Sequence, residues 1–436
     1  MPGIAHVVGA GVAGLSAACE LSASGVRVAV HEATGLAGGR CRSFHDESLG
    51  AMIDNGSHLM LSGNTSIQRF LALIGARDRL SGPISARFPF LDLATGERWT
   101  VDLGDGRIPG RPFSRDGRVP GARLADYAKS LRLLNAGPGS SISEVLSPCG
   151  QLHERFWKPV SIAVLNTEPE HAAAVLMKPV LRETIGRGGR ACRPLTARHG
   201  LSGAFADPAV AFLAGSGAEL RFRMRLRSIT LNKSGRVTAL CFRDDEVQVG
   251  PDDRVILAVP ARVAEELVPG LRVPNEHRGI VNVHFRTPGI VSWKPEDPPF
   301  LGLLGGTAEW LFWRDGIVSA TVSACRGDVD GRSKVGAIWD DVRRSLELEG
   351  DAGMVPPHRV VVERMATIAQ TPEQVARRPG SVAGPPGVFL AGDWTDTGLP
   401  ATIEGAVRSG RLAAELAAGS MGQALMENPG SEHAAT

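Results

Sequence analysis

Three glycines near the start of the chain constrain its fold more than any other feature. They have GxGxxG spacing and are Gly9, Gly11 and Gly14. The pattern follows a short apolar run at 4–8 and opens a helical pattern over 12–24, which Gly25 ends. The apolar segment 26–31 is typical of a second strand. Strand, helix and strand in this order predict a parallel βαβ unit and therefore an α/β fold with a Rossmann-like domain.

The same glycines predict a binding site for a pyrophosphate. Gly9 permits a tight turn, Gly11 has no Cβ and lets the backbone approach the pyrophosphate, and Gly14 allows close packing of helix on strand. The first helical residues, Val12 and Ala13, then offer free N–H groups to the phosphates. The alternative is a structural turn that binds no ligand.

An acidic residue at the end of the second strand predicts the sugar contact. Glu32 lies eighteen residues after Gly14, where a carboxylate accepts ribose hydroxyls, and Ala33 follows it. A carboxylate here would repel a 2′-phosphate, which disfavours NADP. NAD and FAD both satisfy these residues, and a surface acid after a strand is the alternative.

A second glycine pair favours FAD over NAD. The segment GLAGGRCRS at 35–43 contains Gly38 and Gly39, followed by Arg40. The glycines permit another close backbone approach, and the guanidinium can neutralise pyrophosphate or ribityl-side oxygens. Nicotinamide-binding folds have no such requirement directly after the second strand.

The C-terminal region adds a second part to the predicted site. Asp393 follows a buried strand, where a carboxylate can bind ribityl hydroxyls. The next helix is expected to begin near Pro400, and its first turn, Ala401, Thr402 and Ile403, can stabilise negative charge on a reduced flavin ring. Sites at both ends of the chain suit a long, extended cofactor, so the sequence predicts FAD.

Composition excludes several other classes of protein. The chain has 436 residues and a formal net charge of +2, which gives no sign of a nucleic-acid surface. No apolar run reaches the ~18 residues of a spanning helix. Six scattered cysteines without a CxxC predict free thiols rather than disulfides or a metal site. We therefore expect a cytoplasmic protein without a signal peptide, a metal or a nucleic-acid partner.

Periodicity predicts the remaining elements of the chain. Helical spacing occurs at 64–74, 122–135, 170–185, 340–348 and 401–418. Strand patterns occur at 220–231, 236–242, 254–259 and 388–393, and the first two are joined by NKSG in a predicted hairpin. Short strands and loops are expected at 82–118, and residues 420–436 are expected to form a flexible tail.

These motifs together resemble the flavin amine oxidase and phytoene desaturase superfamily. The resemblance rests on the GxGxxG segment with Glu32 and GGR, and on AGDWT with IEGAVRSG near the C-terminus. Three further segments are similar to the hydroxysqualene dehydroxylase family: IDNGSHLMLSGN at 53–64, RFWKPVSIAVLNTEPEHAAA at 155–174 and VILAVPA at 255–261. One departure is Ser57, where relatives more often carry Gln.

The resemblance implies two interleaved domains. Residues 1–80, 199–267 and 384–419 would form the FAD-binding domain, and residues 81–198 and 268–383 a substrate domain with a mixed sheet and helices. It also implies cofactor contacts from the backbone of Leu226 and from Asn55, Gly56, Ser57, His58 and Gly392.

The family reaction implied by the resemblance replaces the hydroxyl of hydroxysqualene by hydrogen, which gives squalene. An external reductant must reduce the flavin, and the departing hydroxyl needs a proton donor. The candidates for the polar end of the site are His58, Asn166 and Glu168. His58 could instead bond the flavin ring or a backbone group, and Asn166 could cap a turn. The tunnel for the thirty-carbon chain could be lined by Phe156, Trp157, Trp293, Trp310, Phe312 and Trp313, which could equally form plain core.

Three rival functions follow from the same motifs. A carotenoid-type desaturase would need the same pocket and cofactor, with hydride moving in the opposite direction. Amine oxidases often frame the amine with paired tyrosines, and the single Tyr127 disfavours this reading. A flavin-free lipid-binding chaperone would have no use for Asp393.

A membrane contact is also expected, because squalene and its alcohol partition into bilayers. We expect reversible docking at the inner membrane face through an apolar patch at the tunnel mouth, near Arg111, Arg115 and Arg118. The alternative is a solvated basic loop.

Overall fold

The computed structural model describes residues 3–106, 117–287, 298–327, 330–348 and 354–427, with side chains to residue 421. The strands within these ranges are β1 (Ile4–Val8), β2 (Arg27–His31), β3 (Ser43–Asp46), β4 (Ala51–Asp54), β5 (Met60–Leu61), β6 (Leu80–Ser81), β7 (Arg87–Asp92), β8 (Arg98–Asp102), β9 (Pro194–Ala197), β10 (Glu219–Arg221), β11 (Leu226–Leu231), β12 (Val237–Phe242), β13 (Glu246–Gln248), β14 (Arg254–Leu257), β15 (His277–Arg286), β16 (Phe300–Leu304), β17 (Trp310–Arg314), β18 (Ile317–Cys325), β19 (His358–Ile368) and β20 (Val388–Leu390).

The α-helices of the same ranges are α1 (Val12–Ala23), α2 (Thr65–Leu73), α3 (Leu124–Ser130), α4 (Ile142–Leu146), α5 (Lys158–Leu165), α6 (Met177–Glu183), α7 (Asp207–Gly215), α8 (Ala261–Leu267), α9 (Val335–Ser345), α10 (Pro372–Ala376) and α11 (Ile403–Glu427). Short 3₁₀ and π turns extend several of them. One 3₁₀ turn, Leu131–Asn135, directly continues α3.

A five-stranded sheet in the order β10-β2-β1-β14-β20 forms the centre of one part of the molecule. All four pairings in it are parallel, and the βαβ unit at its centre is β1, α1 and β2. This confirms the predicted α/β class and Rossmann-like arrangement. α1 is almost entirely buried because α11 packs closely on it: a Cβ on Gly410 would lie 2.0 Å from the carbonyl oxygen of Ala13.

A seven-stranded mixed sheet in the order β19-β15-β18-β17-β16-β7-β8 forms the centre of the other part. Val281 and Val283 lie on the face that packs on Ile338 of α9. On the other face, Phe90 and Trp310 share an apolar cluster with residues of the helical segment 122–192. The sheet is therefore covered on both sides.

The strands of the two sheets come from different stretches of sequence. Those of the parallel sheet fall within 1–80, 199–267 and 384–419, and those of the mixed sheet within 81–198 and 268–383. The boundaries of the two domains themselves stay a prediction.

Several sequence predictions differ from the structure. The helix expected at 170–185 is shorter, since α6 begins only at Met177, and the helix expected at 340–348 is α9, which spans Val335–Ser345. The segment 220–231 is two strands in two different sheets, because Arg223 adopts a left-handed conformation (φ 61°) that breaks the chain's extended course between β10 and β11. The last helix continues past Gly419 to Glu427, where a flexible tail was expected. Arg254 holds the first residue of this extension, because its guanidinium donates to Oγ and to the carbonyl oxygen of Ser420, both at 2.7 Å. Residues 428–436 lie outside the described residues.

Candidate functional site

The glycine loop between β1 and α1 provides an open, uncapped helix N-terminus. The Gly9 amide donates to the carbonyl of His31 at 2.8 Å, and the positive φ of Gly9 (101°) turns the chain into the helix. A Cβ on Gly14 would lie 1.9 Å from the Gly9 carbonyl oxygen, so Gly14 is required for packing. Gly11 is the N-cap of α1 and makes no side-chain cap, which leaves first-turn amides such as those of Val12 and Ala13 for an anion.

Glu32 lies beside this loop and is already hydrogen-bonded to it. Its Oε2 accepts from the Ala10 amide at 2.8 Å, and its Oε1 accepts from the amide and hydroxyl of Thr34 at 2.8 and 2.9 Å. Each carboxylate oxygen has more than one lone pair, so ribose hydroxyls can still bind. The Glu32 carbonyl accepts from the Met224 amide, which places buried Leu226 and half-buried Ala33 close to this end of β2.

The Gly-Gly-Arg segment packs directly against the glycine loop. The Gly38 amide donates to the Ala10 carbonyl at 2.8 Å, and Gly11 and Gly38 form an isolated parallel bridge. A Cβ on Gly39 would lie 3.2 Å from the Cα of Gly11, and both Gly38 and Gly39 have positive φ. Arg40 then reaches across to the C-terminal region, where its Nη2 lies 2.6 Å from Oδ1 of Asp393.

The C-terminal segment meets the N-terminal one at this ion pair. Asp393 is buried, and the preceding Gly392 donates its amide to Oγ of Ser409 on α11. Helix α11 begins at Ile403, slightly later than expected. Ala401 and Thr402 therefore lie just before the helix: the Ala401 amide donates to Gln370, and Thr402 Oγ1 accepts from the Gly405 amide.

The segment after β4 brings further predicted residues to the same neighbourhood. Asn55 donates its side-chain amide to Oε2 of Glu363 at 3.3 Å, and Gly56 is buried against Asn282. Ser57 and His58 are half-buried. Nδ1 of His58 lies 2.9 Å from the carbonyl oxygen of Gly56, so this nitrogen carries a proton and Nε2 is the free one.

Burial lowers the pKa of His58 below its ordinary value, and the positive charge of Arg40 adds to this, while Gly56 and Asp54 oppose it. His58 is therefore mainly neutral at pH 7, and Nε2 is then an acceptor. A role as proton donor requires prior protonation of Nε2, which produces a stronger acid than free imidazolium.

Protein groups already bind the side chains of both Asn166 and Glu168. Asn166 ends α5 in a left-handed conformation (φ 44°), donates to Arg278 and Thr367, and accepts from the Ala324 amide at 2.6 Å. This arrangement joins α5 to three strands of the mixed sheet and favours the turn-capping role over a hydroxyl contact.

Glu168 forms an ion pair with Arg326, at 2.7 Å. Burial opposes ionisation of Glu168, but its hydrogen bond from Arg326 and the nearby charge of Arg278 lower the pKa of the carboxyl below its ordinary value. The carboxyl is therefore ionised at neutral pH and poorly suited to donate a proton.

Several residues that organise this region were missed in the sequence. Gln370 is fully buried and links Leu165 to Ala401 through its side-chain amide. Arg378 is buried and donates to three carbonyls of the segment 393–399. Neither belongs to a recognisable motif. The signal that could have found Arg378 is a basic side chain placed shortly before a buried strand.

The predicted tunnel aromatics fall into three groups. Phe156, Trp157, Trp310 and Phe312 lie in or against the apolar cluster between the mixed sheet and the helices, where their rings pack on one another and on Phe90 and Phe300. Trp313 lies on the opposite face of the sheet. Trp293 lies outside the described residues.

The arrangement as a whole fits FAD. An uncapped helix N-terminus, an open position at Gly11, a carboxylate at the end of β2, and the Arg40–Asp393 pair next to the start of α11 match the phosphates, ribose and ribityl chain of a dinucleotide. These features define a flavoprotein oxidoreductase with a two-sheet architecture.

Comparisons with known proteins agree with this class. The family model of flavin containing amine oxidoreductases matches residues 12–418. The chain is 47% identical to the hydroxysqualene dehydroxylase of Sinorhizobium fredii over 96% of this chain and 99% of the relative. It is 45% and 40% identical to the hydroxysqualene dehydroxylases of Rhodopseudomonas palustris and Zymomonas mobilis, over 94% and 95% of this chain and 97% and 99% of those proteins. The chain belongs to the flavin containing amine oxidoreductases, uses FAD, and within them belongs to the hydroxysqualene dehydroxylase family.

Solved structures show the same fold at low identity. Putrescine oxidase matches with a TM-score of 0.67 at 15% identity, over 96% of this chain and 99% of that chain. Cyclohexylamine oxidase from Brevibacterium oxydans matches with a TM-score of 0.66 at 15% identity, over 97% and 100%. Among the helices that the structure describes, none has the length and apolarity needed to cross a bilayer.

Proposed function

We propose that this chain catalyses the reductive removal of the hydroxyl group of hydroxysqualene, which yields squalene. The observation that carries the proposal is the identity of 40–47% to three hydroxysqualene dehydroxylases over at least 94% of the chain. The overall reaction breaks the C–O bond, forms a C–H bond and releases water. It consumes one hydride and one proton, and the two electrons come from an external reductant of the flavin.

We propose that the cofactor is bound by the residues predicted from the sequence. Its pyrophosphate lies at the glycine loop and at Gly38, Gly39 and Arg40, its ribose at Glu32 and Ala33, and Leu226 contacts it through the backbone. Asp393 and Gly392 contact the ribityl chain. Ala401, Thr402, Ile403 and the segment Asn55–His58 border the ring. Reduced FAD supplies the hydride when it is bound.

We assign the proton transfer to His58. The free Nε2, once protonated, donates to the departing hydroxyl oxygen, while Nδ1 stays anchored on the Gly56 carbonyl and fixes the ring. His58 is favoured over Glu168, which Arg326 holds ionised, and over Asn166, whose side chain is bound by the protein.

The apolar interior supports a long hydrocarbon substrate. The cluster that contains Phe90, Phe156, Phe300 and Trp310 consists of buried apolar side chains between the mixed sheet and the helices. A carbocation formed by loss of water survives longer where water is excluded. We therefore propose that the substrate chain lies beside this cluster.

The rival functions have weaker support. A phytoene desaturase of Glycine max is 22% identical over 94% of this chain and 78% of its own, so a polyprenoid desaturase remains the second candidate. For an amine oxidase, the single Tyr127 is unsuited to a paired cage: its hydroxyl accepts from the Val119 amide beside α3.

We also propose reversible contact with the inner membrane face, because the substrate partitions into lipid. Of the three arginines named above, Arg111 and Arg115 lie outside the described residues, and Arg118 is half-buried shortly before α3. An anionic bilayer surface is the proposed partner.

The proposed reaction is tested by anaerobic incubation with dithionite-reduced FAD and hydroxysqualene, followed by product analysis. We expect one squalene per reduced flavin consumed, and no product from the oxidised enzyme alone. Bleaching of the oxidised enzyme by a saturated polyprenoid, without conversion of hydroxysqualene, would show a desaturase instead.

A further inference from the structure

An outward-facing apolar stripe lies on α3 and the 3₁₀ turn that continues it. The side chains of Leu124 and Leu131 are 48% and 59% exposed, although leucine is normally buried. The two are seven residues apart and therefore on the same side of a helix, and exposed Ala128 lies between them. We call Leu124, Ala128 and Leu131 the α3 stripe.

The opposite side of the same segment is anchored in the protein. Leu133 is fully buried in the apolar cluster, and Ser130 accepts a hydrogen bond from Nε1 of Trp157 at 3.0 Å. The segment therefore has two apolar sides. Its inner side packs on the core, and its outer side is exposed. The leucines of the α3 stripe are therefore not needed to hold the helix in place.

Positive charge flanks the α3 stripe at both ends. Arg123 is the N-cap residue directly before α3, and Arg132 lies in the 3₁₀ turn directly after it, so the two exposed arginines lie at the two ends of the stripe. The acidic residue of the segment, Asp126, is buried, and its carboxylate accepts from the Arg123 amide and from Nζ of Lys129 at 2.9 and 3.0 Å. The surface around the stripe is therefore basic.

The position of the segment links this surface to the apolar interior. Trp157 and Leu133 belong to the same cluster as Phe90 and Trp310, which lie on the mixed sheet. The segment that carries the α3 stripe therefore contacts, through Ser130 and Trp157, the cluster next to which the substrate chain is proposed to lie.

We propose that the α3 stripe, with Arg123 and Arg132, is the surface by which the enzyme docks on an anionic lipid bilayer. The helix lies along the membrane, with its leucines among the acyl chains and its arginines at the headgroups. A second copy of the chain is a poorer occupant, because a two-fold interface here would bring the same arginines close to their own copies. The choice of a bilayer as the partner rests on the proposed function, and the α3 stripe is the surface that we assign to that contact.

Flotation with lipid vesicles tests the docking surface. The purified holoenzyme is mixed with vesicles of phosphatidylcholine, or of phosphatidylcholine with phosphatidylglycerol, and the bound fraction is measured at low and high salt. The test variant is Leu124→Glu/Leu131→Glu, and a charge variant is Arg123→Gln/Arg132→Gln. Val382→Glu is the matched control, because Val382 is 64% exposed but lies in the loop before β20.

We expect the parent and Val382→Glu to bind anionic vesicles equally, and more weakly at high salt. The leucine variant should bind at least ~10-fold more weakly. Each arginine lost should weaken binding to anionic vesicles about 5-fold. Flavin content and circular dichroism should match the parent in all variants, since these side chains are exposed.

Two flotation results would overturn the proposal: a parent that floats with neither kind of vesicle, or a leucine variant that floats like the parent. A third is a leucine variant whose sedimentation coefficient differs from that of the parent while its flotation does not, which would indicate a second copy as the occupant. Activity on detergent-dispersed hydroxysqualene separates the two proposals. If the leucine variant keeps its activity on detergent-dispersed hydroxysqualene but loses activity on hydroxysqualene held in vesicles, docking serves substrate entry. If activity is missing in the parent while flotation holds, the proposed reaction fails and the docking surface stands.

Discussion

Substitutions at Gly11 and Gly14 should have different consequences, although both belong to one motif. Across the part of the chain that the structure describes, a Cβ on Gly11 meets no heavy atom within 4 Å. The backbone of Gly11, at φ −70° and ψ 172°, is extended and accepts any residue. A Cβ on Gly14 would lie 1.9 Å from the Gly9 carbonyl oxygen. Gly11→Trp should therefore spare the fold and block the cofactor, whereas Gly14→Ala should damage the fold itself.

The expected sizes of the two effects follow from linkage and packing. A ligand that binds only the native state at 1,000 times its Kd stabilises it by about 4 kcal/mol. At roughly 2–4 °C per kcal/mol, FAD should raise the Tm of the parent apoprotein by roughly 8–16 °C. Gly11→Trp should lose this increase and keep an apoprotein Tm within about 2 °C of the parent. Gly14→Ala should lower the apoprotein Tm by roughly 2–12 °C, because overpacking costs about 1–3 kcal/mol.

Thermal unfolding of the deflavinated protein is monitored by circular dichroism with and without added FAD. The flavin content of each purified variant is measured separately. Gly11→Ala is the control for side-chain size, since a single methyl group should reduce the FAD-dependent increase less than an indole. Full flavin content in Gly11→Trp would refute the proposed pyrophosphate contact. An apoprotein Tm of Gly11→Trp as low as that of Gly14→Ala would refute the reading of Gly11 as an open position.

Two further variants address the remaining parts of the site, and a third tests the pH dependence of stability through His284 on β15. Asp393→Ala should weaken FAD binding by roughly 10- to 150-fold without unfolding the protein, because charge-assisted bonds contribute about 1.5–3 kcal/mol. The affinity is measured by flavin fluorescence titration. An unchanged affinity would mean that Asp393 is a structural acid that only pairs with Arg40. His58→Ala should slow turnover by ~10²–10⁴ with FAD still bound, and the parent rate should rise as the pH falls toward the lowered pKa of His58; a rate within a few-fold of the parent would remove His58 from the chemistry. Burial lowers the pKa of His284 to about 4, so between pH ~6.5 and ~4 the unfolded chain binds more protons and stability falls as the pH falls. Between pH 7 and 5, the free energy of unfolding of His284→Gln, measured by urea unfolding, should fall by on the order of 2 kcal/mol less than that of the parent. An equal fall in both proteins would contradict the lowered pKa of His284.

The parts of the fold that could be predicted are those coded by short stretches of sequence. The βαβ unit at the N-terminus depends on glycine geometry and on two apolar strands, and β1, α1 and β2 are found as expected. The hairpin of β11 and β12 was readable from NKSG for the same reason: Gly235 has a positive φ, and the side chain of Asn232 accepts from two backbone amides of the turn.

The parts that could not be predicted depend on distant partners. The strands β15 to β19 contain polar and charged residues that are buried only through cross-strand contacts; for example, Asn282 accepts a hydrogen bond from Thr321 of β18. Ser420 of α11 is bound by Arg254, which lies 166 positions earlier. For Asn166 the sequence left two roles open, and only its contacts with Arg278 and Ala324 favour one.

The order of strands in the parallel sheet also affects how the protein is made. β1 begins at Ile4 and its sheet is complete only with β20 at Val388, while α11, which covers α1, follows later still. At about 5–20 residues per second, a ribosome needs roughly 20–80 s to synthesise the intervening chain. During that time the apolar surface of α1 lacks its native cover, and Arg40 lacks Asp393. The proposed FAD site is therefore complete only once α11 has been synthesised, and the apolar surface of α1 must be protected from aggregation until then.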